Sequence, residues 1–154
     1  MKTVPKDRID FIINMYSPEC RWLTAAFNEY PKAQGIFNIK KSFYLVEPLK
    51  HMTAIEAQLC INQLAYVSIG EWMYEGRFTK AVSKDTYKYL TNENMLIYNS
   101  ELTFKSQISI NSEVNCSIEL TDIRKLKGKN YGTLNCIFNN GEFIGTIKFV
   151  LIEE

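Results

Sequence analysis

The chain has 154 residues, of which 46% are hydrophobic and 13% aromatic, and its 18 Lys and Arg against 17 Asp and Glu leave a net charge of +1. A chain of this length can bury roughly two thirds of its unfolded surface, so we expect a single domain over residues 1–154. The balanced charge gives no electrostatic reason to expect a nucleic acid or an anionic membrane as partner.

The N-terminus and the cysteines indicate a cytoplasmic protein. The segment from Met1 to Arg8 is polar, unlike a secretory signal, and no stretch approaches the roughly 18 apolar residues that a membrane span needs. The four cysteines form no CxxC pair, and the chain has one histidine. The sequence therefore favours reduced, buried thiols over a metal site.

The first third of the chain predicts a helix followed by two strands. Over residues 5–16, apolar side chains recur at the spacing of one helical face, and Ser17-Pro18 ends the helix. The segments 21–30 and 35–43 are rich in aromatic and aliphatic residues, which predicts a pair of strands. Glu47-Pro48 then breaks the chain.

The segment from His51 to Met73 is the most informative part of the chain. Thr53 and Glu56 have the spacing of a capping box, in which the threonine accepts from a backbone N–H and the glutamate reaches back to the cap. The helix that follows is apolar on most sides, so protein must surround it. Polar side chains on such a helix need partners or meet a substrate. We therefore expect the functional site here.

The last part of the chain predicts a short helix, a loop and several strands. The short helix is expected over 84–90, within a polar segment that otherwise predicts a loop up to residue 100. From residue 102 onward the hydrophobic period becomes two, with strands around 114–121, 131–138 and 143–152. Between the last two strands, Asn140-Gly141 predicts a hairpin turn with positive φ at both residues.

One long buried helix between two groups of strands is typical of an α+β domain. The arrangement that fits best is the hotdog fold, in which an antiparallel sheet wraps around one long central helix. A two-layer sheet with helices packed on one face is the alternative.

The stretch 51–66 resembles the central-helix motif of the FcoT-type family, which has the hotdog fold. The matching residues are His51, Ala54, Glu56, Cys60, Asn62, Gln63, Leu64, Ala65 and Tyr66. A shorter match is Tyr16-Ser17 followed by Cys20-Arg21. The family includes long-chain acyl thioesterases and enzymes that add glycine to 2-enoyl thioesters on acyl carrier proteins in isonitrile lipopeptide biosynthesis. Thr53 stands where the family has an asparagine.

This resemblance implies an enzyme that acts on fatty acyl or 2-enoyl thioesters of acyl carrier protein or coenzyme A. Of two possible activities, it favours conjugate (Michael) addition of glycine to a 2-enoyl-ACP, and thioester hydrolysis is the alternative. A non-catalytic thioester-binding protein is the alternative from another class, and a dehydratase fits the motif poorly. Neither chemistry needs a metal or a redox cofactor. The resemblance also implies a homodimer or larger homo-oligomer, with no nucleic acid or membrane partner.

His51 and Glu56 are the catalytic candidates that the resemblance implies. Histidine exchanges a proton readily near neutral pH, so His51 would accept the proton of glycine or water. Position alone favours a simple loop contact for His51, and the resemblance reverses that preference. Glu56 serves equally well as a base or only as a member of the capping box. The helix start at Thr53 would offer N–H groups to the thioester oxygen.

The substrate-binding candidates lie along the central helix and before it. Asn62 and Tyr66 share one line on the helix with Gln58, and we expect the first two to contact substrate and Gln58 to have a structural role. Tyr16 comes from the second matching segment. Tyr44 rests on a looser match.

A carboxylate-binding group is needed if glycine is a substrate. Arg21 is the candidate, although Arg77 and Arg124 offer the same bidentate chemistry. Cys60 is expected to be a buried, inert thiol, because no basic group lies one helical turn away.

Overall fold

The computed structural model describes residues 1–152. The helices and strands are β1 (Lys2–Thr3), α1 (Lys6–Ile13), β2 (Leu23–Glu29), β3 (Lys32–Phe37), α2 (Ala54–Tyr74), α3 (Lys84–Glu93), β4 (Met95–Phe104), β5 (Val114–Leu126), β6 (Lys129–Phe138) and β7 (Phe143–Ile152), with a 3₁₀ turn at Pro18–Cys20. Apart from the two-residue strand β1, which the sequence does not predict, this order of elements is the one that the sequence predicts.

The seven strands form one antiparallel sheet in the order β1-β2-β3-β5-β6-β7-β4. The buried residues of the strands and of α2 form one hydrophobic core. The fold is therefore the α+β hotdog arrangement of a sheet around one long helix, as the hydrophobic pattern indicates.

The central helix α2 begins as the capping box predicts. Thr53 is the N-cap, its side chain accepts from the backbone, and the Glu56 side chain accepts from the Thr53 backbone N–H. Most residues of α2 are buried, because the sheet covers one side and α1 and α3 cover others. At Gly70 an added Cβ would lie 2.6 Å from the ring of Tyr87, so the glycine lets α3 approach closely.

The second predicted strand is wrong in its boundaries. Instead of 35–43, the strand β3 begins at Lys32 and ends at Phe37. Residues 38–53 form an irregular connection, called here the 38–53 loop, because Ser42 and Tyr44 direct their hydroxyl groups to Glu56 of α2. A strand register for these residues would break those contacts.

Strand β4 lies partly in the segment that the sequence predicts as a loop. It starts at Met95 and pairs with β7 along its length, with a bulge between Ile97 and Asn99. The bulge shifts the alternation of buried and exposed side chains, which hides the strand from a period-two pattern.

The turn between β6 and β7 also differs from the prediction. Asn139 and Gly141 have positive φ, at 48° and 91°, whereas Asn140 does not. The connection is therefore longer than a two-residue type I′ turn.

Among residues 1–152, no helix combines the length and the apolar composition that a membrane crossing would require.

Candidate active site

A cavity of about 410 Å³ opens beside the N-terminus of α2. Residues from three parts of the chain meet there: the helix start, the end of β4 with the segment after it, and the start of β7. They are His51, Met52, Thr53, Ala54, Phe104, Lys105, Ser106, Gln107 and Phe143. The cavity thus joins a helix terminus, an imidazole and an ammonium group.

The start of α2 lies beside this cavity. The first N–H groups of a helix lack intrahelical acceptors. The Thr53 hydroxyl accepts from the Ile55 N–H at 3.2 Å, while Ala54, the first helical residue, lines the cavity. The amide of Ala54 lies at the positive end of the helix dipole. A group of this kind stabilises the negative oxygen that forms when a thioester is attacked.

His51 is half-buried and faces the same cavity. Its backbone pairs with Ser109 in an isolated antiparallel bridge, and the Met52 N–H donates to the Ile108 carbonyl at 2.8 Å. His51 therefore contacts the neighbouring loop through its backbone and not through its side chain. Among residues 1–152 the imidazole forms no hydrogen bond or ion pair, so it is available to a bound molecule.

Glu56 is fully buried and accepts hydrogen bonds on both carboxylate oxygens. The hydroxyl groups of Ser42 and Tyr44 each donate to Oε1 at 2.7 Å. The Thr53 N–H donates to Oε2 at 2.8 Å, and the Thr53 hydroxyl donates to the same oxygen. One carboxylate thus ties the 38–53 loop to the first turn of α2.

These donors determine the charge state of Glu56. Burial alone raises the pKa of this carboxyl, but the hydrogen bonds from Thr53, Tyr44 and Ser42 outweigh burial and bring the pKa below its usual value. A carboxylate with a lowered pKa and occupied oxygens is a weak base. Glu56 also does not line the cavity. Its position fits an anchor of the helix start rather than a proton acceptor.

Tyr44 lies beside the site without lining the cavity. Its hydroxyl contacts the Thr53 hydroxyl at 2.7 Å, in addition to its bond with Glu56. Burial raises the pKa of Tyr44, so the phenol stays protonated. The residue holds Thr53 and Glu56 in place.

Asn62 lies further along α2, about 9 Å from Glu56 at a rise of about 1.5 Å per residue. Its Oδ1 accepts from the side-chain Nε2 of Gln58 at 2.8 Å, and the hydroxyl of Ser100 on β4 donates to the side-chain Oε1 of Gln58. Gln58 therefore links α2 to β4, in line with the structural role expected for it. Asn62 is half-buried.

Tyr16 and Tyr66 lie near each other, further from the cavity. Burial is the main cause that raises the pKa of Tyr16, and the nearby Tyr66 adds to it. Burial also raises the pKa of Tyr66. Tyr87 of α3 donates its hydroxyl to the Tyr66 carbonyl. Both phenols stay protonated at neutral pH and can donate hydrogen bonds.

Arg21 is directed away from the cavity residues. Its Nε donates to the Tyr16 carbonyl at 2.8 Å and its Nη2 to the Asn14 carbonyl at 3.1 Å, so it holds the end of α1. Arg77 and Arg124 each pair with a nearby carboxylate. The structure thus brings none of the three arginines to His51.

The cysteines are buried free thiols, as the sequence predicts. Cys60 lies on α2, and burial raises the pKa of its thiol well above the usual value. A protonated, enclosed thiol is a poor nucleophile.

Sequence reasoning missed the polar residues that follow β4. Lys105, Ser106 and Gln107 line the cavity, yet no spacing along the chain connects them to the helix start. The pairing of His51 with Ser109 brings them there. The role of Ser42 was missed for the same reason.

Gln63 is a polar residue of α2 whose role the sequence did not reveal. Its side-chain oxygen Oε1 accepts from the backbone N–H groups of Trp22 and Leu23, each at 3.1 Å. Its side-chain nitrogen Nε2 donates to the backbone carbonyl of Cys20 at 2.7 Å. The side chain therefore replaces the sheet partners that the start of β2 lacks.

Comparison with known proteins identifies the family. The model of the FcoT-like thioesterase domain matches residues 11–145. The chain belongs to this family. No curated protein sequence matches it significantly.

The solved structures that resemble this fold are distant in sequence. The sigma28-regulated virulence protein Cj0977 of Campylobacter jejuni is 13% identical, with a TM-score of 0.60 and 96% of each chain covered. A thioesterase superfamily protein from Shewanella loihica is 11% identical, with a TM-score of 0.55, over 91% of this chain and 98% of that one. A hypothetical thioesterase protein from Streptococcus pneumoniae, solved with coenzyme A, is 5% identical, with a TM-score of 0.51, over 83% of this chain and 84% of that one.

These similarities establish the hotdog thioesterase fold. Family membership and fold together support an enzyme of the hotdog kind that acts on acyl thioesters.

Proposed function

We propose that this FcoT-like protein hydrolyses fatty acyl thioesters of coenzyme A or of an acyl carrier protein. The observation that carries this proposal is that His51 and Ala54, the first residue of α2, line the same cavity. The resemblance favours glycine addition, which needs a group that binds the carboxylate of glycine. Arg21 is the expected group, but it is bound to two backbone carbonyls, so we rank glycine addition second. The coenzyme A bound to the pneumococcal thioesterase supports including CoA thioesters.

In the proposed reaction, the thioester carbonyl oxygen accepts a hydrogen bond from the Ala54 N–H. His51 accepts a proton from water as the water oxygen attacks the carbonyl carbon. The helix dipole stabilises the tetrahedral oxyanion that results. The carbon–sulfur bond then breaks, and the proton passes from His51 to the departing thiolate. The products are a free carboxylic acid and the thiol of the carrier.

The remaining candidate residues support this reaction at a distance from the carbonyl carbon. Glu56 fixes Thr53 and Tyr44, and so fixes the helix start against the 38–53 loop. Asn62 and Tyr66 are half-buried further along α2, and in this proposal they contact the acyl chain.

One observation favours glycine addition as the second candidate. Lys105 lines the cavity with His51 and offers an ammonium group for the carboxylate of glycine. In that reaction His51 accepts a proton from the glycine ammonium group, and the amine attacks the β-carbon of the enoyl thioester. The resulting enolate oxygen lies at the Ala54 amide until His51 returns its proton to the α-carbon, which completes the addition.

Intact-mass spectrometry of 2-octenoyl and octanoyl carrier protein, incubated with the enzyme with and without glycine, distinguishes these reactions. Loss of the acyl group supports hydrolysis, and the same assay with octanoyl-CoA tests the second carrier. A mass gain of one glycine on the 2-octenoyl carrier protein, with no such gain on the octanoyl carrier protein, supports addition. No change with any substrate contradicts both reactions and favours a binding protein.

If addition occurs, Lys105→Ala is expected to raise the KM for glycine by about tenfold, because one charge-assisted contact is lost. The KM for the acyl carrier should stay near the wild-type value. Equal effects on both constants would contradict a carboxylate-binding role for Lys105.

A further inference from the structure

The 38–53 loop exposes apolar side chains, and its last residues, His51 to Thr53, line the cavity. Phe43 is 46% exposed, Leu49 is 39% exposed, and Val46 is 99% exposed. Ile55, on the first turn of α2, is 47% exposed. Several exposed apolar side chains in one loop that leads into a site are typical of an interaction surface.

The same loop carries lysines on both sides of these apolar residues in sequence. Lys40, Lys41 and Lys50 belong to the loop and are exposed, and Lys105 lines the cavity. Glu47 is the one carboxylate in the loop sequence. Among residues 1–152, none of the four ammonium groups takes part in an ion pair. The surface is therefore positively charged, although the whole chain is nearly neutral.

The loop is held in place next to the cavity. Ser42 and Tyr44 bind the carboxylate of Glu56, and the ring of Phe43 lies 6.4 Å from that of Trp22 and 5.4 Å from that of Tyr44. These contacts hold residues 42–44 of the loop against the first turn of α2 and Trp22, which limits the positions that the rest of the loop can take.

We propose that the 38–53 loop docks the acidic surface of a carrier protein, which then delivers the acyl thioester to the cavity on its prosthetic arm. This inference rests on the proposed function and selects a carrier protein as the delivering partner. Lys40, Lys41 and Lys50 of the loop pair with its carboxylates, and Val46 and Leu49 contact apolar side chains between them. Charges around an apolar centre are the usual composition of a protein interface.

Two other occupants fit this surface less well. Coenzyme A would use the lysines for its phosphates but gives no reason for exposed side chains at Val46 and Leu49. A second copy of this chain, related by a two-fold axis at this loop, would bring lysines against lysines, which costs free energy. An acidic protein satisfies both the charged and the apolar groups.

The test compares two charge-reversal variants of the full chain. Lys40→Glu with Lys41→Glu changes the loop, and Lys125→Glu with Lys127→Glu changes the same number of exposed charges at the β5–β6 turn, near the far end of α2. Hydrolysis is measured with octanoyl carrier protein and with octanoyl-CoA. Binding of the unacylated holo carrier protein is measured by calorimetry. A third variant, Val46→Ser, tests the apolar contact at a side chain that contributes nothing to the core.

The loop variant is expected to bind the holo carrier protein about tenfold more weakly, with kcat/KM for the octanoyl carrier lowered by a similar factor. Its kcat/KM for octanoyl-CoA should equal that of wild type, and the β5–β6 variant should match wild type on both substrates. Val46→Ser should weaken carrier binding and leave octanoyl-CoA unaffected.

Other results would overturn the inference. Wild-type binding of the carrier by the loop variant, or loss of activity on octanoyl-CoA in equal measure, would exclude docking at this loop. A change in oligomeric state of Val46→Ser would identify a second copy as the occupant. If wild type hydrolyses octanoyl-CoA but binds no carrier protein, the docking proposal fails and the proposed hydrolysis stands. If wild type binds the carrier protein but hydrolyses no thioester, the proposed hydrolysis fails and carrier binding stands.

Discussion

His51 is the proton acceptor in the proposed hydrolysis, and its imidazole faces the cavity without a partner among residues 1–152. We expect His51→Ala to lower kcat by about 10²–10⁴-fold, the usual contribution of a positioned general base. Thermal unfolding should be nearly unchanged, since the contacts of His51 with the protein are made by its backbone. Full activity in the folded variant would remove histidine from the mechanism.

Glu56 makes acid stability depend on one buried carboxylate. Its folded pKa lies below its ordinary value of 4.5 because of the donated hydrogen bonds. The carboxylate therefore stabilises the fold above pH 4.5, and this contribution is lost as the pH falls through the folded pKa. Glu56→Gln should lower the free energy of unfolding at pH 7 by about 2–3 kcal/mol, because charged hydrogen bonds are removed.

Urea unfolding of wild type and Glu56→Gln at a series of pH values checks this prediction. The difference between the two proteins should narrow as the pH falls below 4.5. Glu47→Gln, an exposed carboxyl in the same loop, is the matched control and should behave like wild type. A difference that stays constant with pH would show that the charge of Glu56 does not stabilise the fold.

The sequence predicts some roles of single residues and misses others. The capping box of Thr53 and Glu56 could be predicted because both partners lie within one helical turn. The partners that Ser42 and Tyr44 find on Glu56 could not, because they depend on how an irregular loop folds back. Lys105 reaches the cavity only through tertiary pairing.

At the scale of elements, Gln63 joins α2 to the start of β2. Replacing it with leucine removes the partners of three buried backbone groups and should cost about 3 kcal/mol or more in unfolding free energy. Gln34→Leu, an exposed glutamine on β3, is the control and should cost far less. Urea unfolding measures both, and similar losses would show that the link is unimportant.

Elements with a strong local signal are well predicted from the sequence. The helix α2, the helix α3 from Lys84, and the strand β7 follow from caps and hydrophobic period. The sequence predicts part of strand β4 as a loop because the bulge of this strand breaks the alternation of side chains. Its neighbour β7 is distant in the chain, and a local pattern does not reveal such pairing.

At the scale of the whole molecule, β4 forms one edge of the sheet within the described residues. It is ten residues long, and Leu96 and Tyr98 are exposed by 53% and 56%. A long apolar edge strand readily pairs with another chain. The end of β4 also reaches the cavity, because Phe104 lines it. A partner paired along β4 would therefore border the active site, which gives the expected homodimer a functional reason.

We accordingly expect sedimentation velocity to show a dimer or larger assembly at micromolar concentration. Leu96→Lys with Tyr98→Lys should shift it towards monomer, because charged side chains on an edge oppose pairing. Leu126→Lys is the matched control, since Leu126 is 59% exposed at the β5–β6 turn and lies away from this edge. If the cavity depends on the partner, hydrolysis should fall with the dimer fraction in the first variant and stay unchanged in the control. A wild-type monomer with full activity would show instead that one chain holds the complete site.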